Sequence, residues 1–167
     1  MRTLLLVEDE ADLVDLVRDL LPKWTIHHSE SALDAAEWIR LNDPDVALLD
    51  YSMPGIRTGR LQKVLRVLHP ELPWIYFTGR NDAEVIRRAI DENVYAFIEK
   101  PFDPDFLEAK LESALMVRRE RRNLESRLKT LLPPMAVPLV FQSLRSCAYQ
   151  KITAKKFKEL ELELETP

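Results

Sequence analysis

Thr3-Leu4-Leu5-Leu6-Val7-Glu8-Asp9-Glu10 opens the chain with an apolar run too short for a helix, followed at once by three acids. A run of that length without polar alternation reads as a β-strand buried on both faces. Four further runs of the same kind follow, at Trp24–His27, Val46–Leu49, Trp74–Phe77 and Ala96–Ile98. Between them apolar residues recur at helical spacing: Leu13, Leu16, Val17, Leu20 and Leu21; Leu33, Ala36 and Ile39; Leu61, Val64, Leu65 and Leu68; Val85, Ile86, Ala89 and Ile90. Doubly buried strands separated by amphipathic helices need a parallel sheet covered on both sides, because each crossover must carry the chain back across the sheet. The sequence therefore predicts an α/β fold, a doubly wound five-stranded parallel sheet with an extended C-terminal helix.

Composition narrows the function classes. A chain of 167 residues reads as one ordinary domain and a remainder, so a large multidomain enzyme is not the expectation. With 46% hydrophobic and 31% charged residues it can bury a core, which excludes wholesale disorder. The lone Cys147 offers neither an intramolecular disulfide nor a thiolate metal cluster, and the first residues lack the apolar run of a signal peptide or membrane span. A cytoplasmic address without membrane contact is the expectation. The net charge of −4 conceals an asymmetry, with 12 Lys/Arg against 19 Asp/Glu in residues 1–104 and 12 against 9 in residues 105–167.

After Pro104 one helix can run from about Asp105 to Leu132 without Gly or Pro. At 1.5 Å per residue it spans about 42 Å, roughly twice what covering a sheet needs, so its distal part is expected to project past the domain. Ala114, Val117, Leu124, Leu128 and Leu131, interrupted by Arg121, suggest a short coiled-coil seam. Pro133, Pro134 and Pro138 then mark a linker. Beyond it Leu160, Leu162 and Leu164 alternate with glutamates at strand period, while Phe157, Leu160 and Leu164 make a helical stripe, and helix is the preferred of the two readings. The expected division is a domain at 1–117, a helical extension at 118–132, and a Pro-containing linker and short tail of unknown role at 133–167.

The chemistry concentrates at strand ends. Glu8 and Asp9 follow the first strand and Asp50 the third, and in a parallel sheet those ends converge. Carboxylates about 4 Å apart repel by about 4 kcal/mol at an effective dielectric of 20, so such a cluster shares a proton or recruits a cation. Hard oxygen ligands favour Mg²⁺. Thr78 ends the fourth strand and Lys100 the fifth, adding a small hydroxyl and one compensating ammonium.

Leu4 to Glu10, Leu48-Leu49-Asp50-Tyr51-Ser52-Met53-Pro54-Gly55, Phe77-Thr78-Gly79 and Phe97-Ile98-Glu99-Lys100-Pro101-Phe102 together resemble the receiver domain of two-component response regulators, over about residues 1–117. Each motif alone is weak; four in order, each at a strand end, are specific. The resemblance implies a flavodoxin-like receiver fold and makes Asp50 the phosphoacceptor from a histidine kinase or histidine phosphotransfer protein. It implies Mg²⁺ (or Mn²⁺) held by Glu8, Asp9, Asp50 and the Ser52 backbone carbonyl, with Thr78 and Lys100 binding phosphoryl oxygens. It also implies a Thr78 and Phe97 switch read out on the fourth helix, fifth strand and fifth helix, a cis Lys100-Pro101 bond, and Ser52 and Arg80 as tuners of acyl-phosphate lifetime. Asn93-Val94 departs from the Gly-Ala common before the fifth strand of receivers.

Plainer readings stand beside these. Singly, Asp50 is a loop or capping acid, Glu8-Asp9-Glu10 a helix start, and Thr78 and Phe97 strand and core residues. His27, His28 and His69 lack metal or triad spacing and read as surface or satisfied-core histidines. Arg118, Arg119, Arg121 and Arg122, with Lys151, Lys155, Lys156 and Lys158, invite a DNA-binding regulator as the alternative function. Interspersed glutamates make a solvated face the better reading, and with 33 residues after Pro134 a winged-helix output domain is not the expectation. A dehalogenase-type hydrolase needs an acid two residues after its nucleophile, where Ser52 stands. The expected partners are thus a kinase or phosphotransfer protein, an unidentified protein target and a second copy through the long helix, rather than nucleic acid or membrane.

Overall fold

The structure, a computed structural model, describes residues 2–57, 59–79, 87 and 94–131. The helix expected around Val85–Ile90, the turn residue Asn93, Arg80, and the linker and tail from residue 132 lie outside the described residues. The elements are β1 (Thr3–Val7), α1 (Ala11–Leu20), β2 (Thr25–Ser29), α2 (Ala32–Ile39), β3 (Val46–Asp50), α3 (Arg60–Leu68), β4 (Trp74–Thr78), β5 (Ala96–Glu99) and α4 (Pro104–Leu131). α4 is the helix that the sequence counts as the fifth.

The five strands are all parallel, in the order β2-β1-β3-β4-β5. The chain leaves β1 in one direction to β2 and in the other to β3, so a crevice opens beyond the carboxyl ends of β1 and β3. Period-two alternation divides the core. Leu5, Val7, Ala47, Leu49, Trp74 and Tyr76 pack against α2 and α3, while Leu4, Leu6, Val46, Leu48, Ile75, Phe77 and Ile98 pack against α1 and α4. Leu4 to Val7 are buried completely, each contributing about 1.5–3 kcal/mol, which seats β1 at the centre of both layers.

Local chemistry sets the helix starts. Ser31 Oγ accepts the Asp34 N–H at 3.1 Å, and Asp103 Oδ1 accepts the Phe106 N–H at 3.0 Å, with Pro104 in the first helical position where its missing N–H costs nothing. Before α3, Gly55 and Gly59 sit at φ 80° and 72°, a left-handed backbone that side chains resist.

α4 departs from its expected role. Its buried stripe is Leu107, Leu111, Ala114, Leu115 and Arg118, so Ala114, expected in a coiled-coil seam, packs in the domain's own core. The basic cluster is only partly a solvated face: Arg119 and Arg121 are exposed, but Arg118 and Arg122 are engaged by acids. Arg118 is only 4% exposed and places Nη2 2.6 Å from Asp43; Arg122 reaches Asp43 at 2.7 Å and Asp45 at 3.1 Å; Arg121 approaches Glu71 at 3.7 Å. His69 adds Nδ1 at 3.0 Å from Asp43 and Nε2 at 2.9 Å from the Ile39 carbonyl. Acids on the loops before β3 and β4 therefore draw the helix back onto the sheet as far as Arg122, where a projecting segment was expected. The side chains of Leu124, Leu128 and Leu131 are outside the described residues.

Burial pushes the Asp43 carboxyl up, but the Arg118 and Arg122 guanidiniums and His69 outweigh it and hold it below its ordinary 3.8. A depressed carboxylate stabilises the fold above the unfolded value and loses that contribution as pH falls through the folded one. Asp43→Asn should lower unfolding free energy by about 2 kcal/mol at pH 7, less than for a fully buried pair because Asp43 is half exposed to solvent. Urea unfolding should show the gap to wild type closing as pH falls from 6 towards 3; a pH-independent gap would argue for lost packing instead.

Candidate functional site

Alternation along the strands explains why the polar residues meet. Glu8 continues the Leu4, Leu6 series, Asp50 the Val46, Leu48 series, and Lys100 follows Ile98, so all three emerge on the α1 and α4 side of the sheet at its carboxyl edge. The register sets Val7 beside Leu49, which places Glu8 next to Asp50. One carboxylate oxygen from each of Glu8, Asp9 and Asp50 lies within 4.8 Å of the others. Lys100 Nζ stands 2.7 Å from Glu8 Oε2 and 3.2 Å from Asp50 Oδ2, and also lies over the Phe77 ring at 4.7 Å from its centroid.

The three carboxylates are not equivalent. The Glu8 and Asp50 side chains are 1% and 7% exposed, whereas Asp9 is open to solvent. Ser52 N–H donates to Asp50 Oδ1 at 2.7 Å, fixing the plane of that carboxylate, and Glu10 N–H donates to Glu8 Oε1 at 3.3 Å. Burial pushes the Glu8 carboxyl up; its hydrogen bond and charge pairing with Lys100 pull it back, and the nearby Asp50 charge adds to the rise. Three ionised carboxylates against one ammonium leave an excess of two negative charges, and hard oxygens with that deficit fit a divalent cation such as Mg²⁺.

The remaining expected residues are placed as follows. Thr78 is buried at the end of β4, its carbonyl accepting the Lys100 N–H at 2.7 Å, and the Lys100-Pro101 bond is cis. Phe97 is 39% exposed on β5 at the sheet edge, away from the core. Among the histidines, His27 stacks on Trp38 with centroids 4.0 Å apart, His69 serves the Asp43 cluster, and His28 Nε2 donates to the Glu8 carbonyl at 2.8 Å. Sequence reasoning did not single out Asp43 and Asp45; the only signal was an acidic pair in a chain whose long helix carries arginines four residues apart.

Residues 4–112 match the response regulator receiver domain family. The chain belongs to that family. It is 33% identical over 135 residues to the nitrogen assimilation regulatory protein NtrX of Azorhizobium caulinodans, covering 78% of this chain and 30% of that protein. It is 29% identical over 118 residues to the cyclic di-GMP phosphodiesterase response regulator RpfG of Xanthomonas campestris, covering 70% of this chain and 31% of that protein. The chain thus spans about a third of the length of the curated relatives it matches. A CheY-like receiver domain protein from Methanospirillum hungatei superposes with a TM-score of 0.67 at 21% identity, over 72% of this chain and 98% of that one. This receiver therefore has the flavodoxin-like sheet expected of it, and no helix among its described residues is long and apolar enough to cross a membrane.

Proposed function

We propose that this receiver is the phosphoacceptor of a two-component phosphorelay, with Asp50 as the acceptor. The observation that supports this most is the placement of Asp50: one carboxylate oxygen is held by the Ser52 N–H, and the other faces Lys100 within a cluster of two further acids. An Asp50 oxygen attacks the phosphorus of a phosphohistidine on a histidine kinase or phosphotransfer protein. The new O–P bond makes a mixed anhydride, the N–P bond breaks, and its electron pair stays on the imidazole nitrogen.

Glu8, Asp9, Asp50 and the Ser52 carbonyl hold Mg²⁺ or Mn²⁺ in this reading. The cation, when bound, supplies charge neutralisation for the phosphoryl oxygens, which a bare acidic cluster repels. The Lys100 ammonium and Thr78 hydroxyl bind the remaining oxygens, and Ser52 and Arg80 tune the lifetime of the acyl phosphate. Thr78 moving to the phosphoryl group and Phe97 turning inward shift the equilibrium between two packings. The fourth helix, β5 and α4 then present a changed face. Phe97 has no hydroxyl, so its burial strands no polar atom. The receiver unit is 1–117, with 118–132 as its helical extension and 133–167 as linker and tail. Output runs through protein contacts, pairing of the long helix among them, in the cytoplasm; turnover stops at self-catalysed phosphorylation and dephosphorylation. A DNA-binding role for the arginine cluster is weakened by the engagement of Arg118, Arg121 and Arg122 on Asp43, Asp45 and Glu71.

Acetyl phosphate with Mg²⁺ should add one acid-stable, base-labile phosphoryl group by mass spectrometry, and chelation should prevent it. Sedimentation with beryllofluoride and Mg²⁺ should double the mass if the output is homodimerisation. An unchanged mass assigns it to a different protein partner, and absence of any phosphoryl group refutes the whole reading.

A further inference from the structure

We propose that His28 is a positioning residue for the cation-binding corner: by donating its Nε2–H to the Glu8 carbonyl it holds the peptide plane between Glu8 and Asp9, and so sets the affinity of the site for Mg²⁺. The inference rests on the phosphoacceptor reading above.

The need for such a donor follows from where the sheet ends. β1 and β2 pair in parallel up to Val7 beside Ser29, and the Glu8 N–H still donates to the Ser29 carbonyl at 3.2 Å. In a parallel ladder the Glu8 carbonyl would next take the N–H two residues on, that of Ser31. Ser31 is instead the N-cap of α2, where its Oγ accepts the Asp34 N–H, and the ladder ends at Ser29. A partly buried carbonyl without a main-chain donor needs another. His28 pairs with Leu6, so its side chain stands on the same side of the sheet as Glu8, and Nε2 meets the carbonyl at 2.8 Å. The neutral Nε2–H tautomer and the imidazolium both keep this donor.

The consequence falls on Asp9. The Glu8 carbonyl and the Asp9 N–H share one planar peptide, so fixing the carbonyl orients the start of Asp9. Glu8 has separate side-chain anchors in Lys100 and the Glu10 N–H. The exposed Asp9 carboxylate has no hydrogen bond or ion pair among the described residues, so its place in the 4.8 Å cluster is inherited from its backbone. Among the described residues β2 is an edge strand, and no further strand stands beyond His28 to take over its role.

Groups that orient metal ligands from outside typically change affinity 10–100-fold when removed. In the full-length protein, His28→Ala should raise the Mg²⁺ dissociation constant about tenfold by isothermal titration, with Mn²⁺ binding by electron paramagnetic resonance shifting in step. His28→Gln, whose amide keeps an N–H donor at similar reach, should return to within about twofold of wild type. The Mg²⁺ concentration giving half-maximal phosphorylation by acetyl phosphate should rise with the dissociation constant, while the rate at saturating Mg²⁺ stays near wild type. Urea unfolding without cation identifies any general loss of structure. Unchanged affinity in His28→Ala, or failure of an equally stable His28→Gln to restore it, overturns the role of His28 and leaves the phosphoacceptor reading intact. A wild type that binds no Mg²⁺ removes the reading and the inference together.

Discussion

Asp50→Asn takes up no phosphoryl group from acetyl phosphate or from a phosphorylated histidine partner, while folding slightly more stably than wild type in the absence of cation. The amide oxygen is a poor nucleophile, and the substitution also removes one of three carboxylates from the cluster, so chemistry and cation affinity fail together. Stability is expected to move the other way. One oxygen from each carboxylate lies within 4.8 Å of the others. At that upper bound and an effective dielectric of 20, each carboxylate pair repels by about 3.5 kcal/mol, so Asp50 meets about 7 kcal/mol of gross repulsion from Glu8 and Asp9, before solvent screening of the exposed Asp9. Its attraction to Lys100 at 3.2 Å is about 5 kcal/mol on the same scale. The balance favours the neutral side chain slightly in the absence of cation. Mass spectrometry and thermal unfolding on the same sample separate the two effects. Phosphorylation of Asp50→Asn to the wild-type extent would move the acceptor elsewhere.

Lys100→Met should reduce the phosphorylation rate about 100-fold, the usual cost of deleting one donor aimed at developing charge, and should destabilise the cation-free protein by about 3–5 kcal/mol. The ammonium answers two carboxylates that have almost no access to water, and methionine fills its volume without its charge. The pH dependence distinguishes this cause from lost packing. Burial already holds the Glu8 carboxyl above its ordinary 4.5, and removing the Lys100 hydrogen bond and charge raises it further. A carboxyl raised in the folded state contributes its stability in full below the unfolded value and loses it as pH rises through the folded one. Stability of Lys100→Met should therefore decline with pH above 4.5 more steeply than that of wild type, and Mg²⁺ should restore much of it. Urea unfolding from pH 5 to pH 8, with and without Mg²⁺, measures both; parallel pH profiles would show that Lys100 does not answer Glu8.

Much of the candidate site could be read in the chain because its parts are local. Five short apolar runs predicted the five strands with errors of one or two residues, as at β3, which extends to include Asp50. Glu8, Asp9, Asp50, Thr78 and Lys100 stand at strand ends, and position along a strand is a property of a few consecutive residues. The length of α4 was legible for the same reason, since nothing between Pro104 and Leu131 interrupts a helix. Its direction was not. Arg118, Arg121 and Arg122 looked like a solvated face because their counter-charges, Asp43, Asp45 and Glu71, lie about fifty to eighty residues away in the chain.

Helical period, strand length and the identity of each strand's last residue are short-range facts, and from them alone came the α/β class, the order of elements and the five polar groups at one edge. Strand order β2-β1-β3-β4-β5, the partnering of α4's arginines and the reach of His28 to the Glu8 carbonyl needed the folded chain. Each depends on register and side-chain direction between segments that meet only once the sheet has formed, where a shift of one residue would turn every contact to the opposite face.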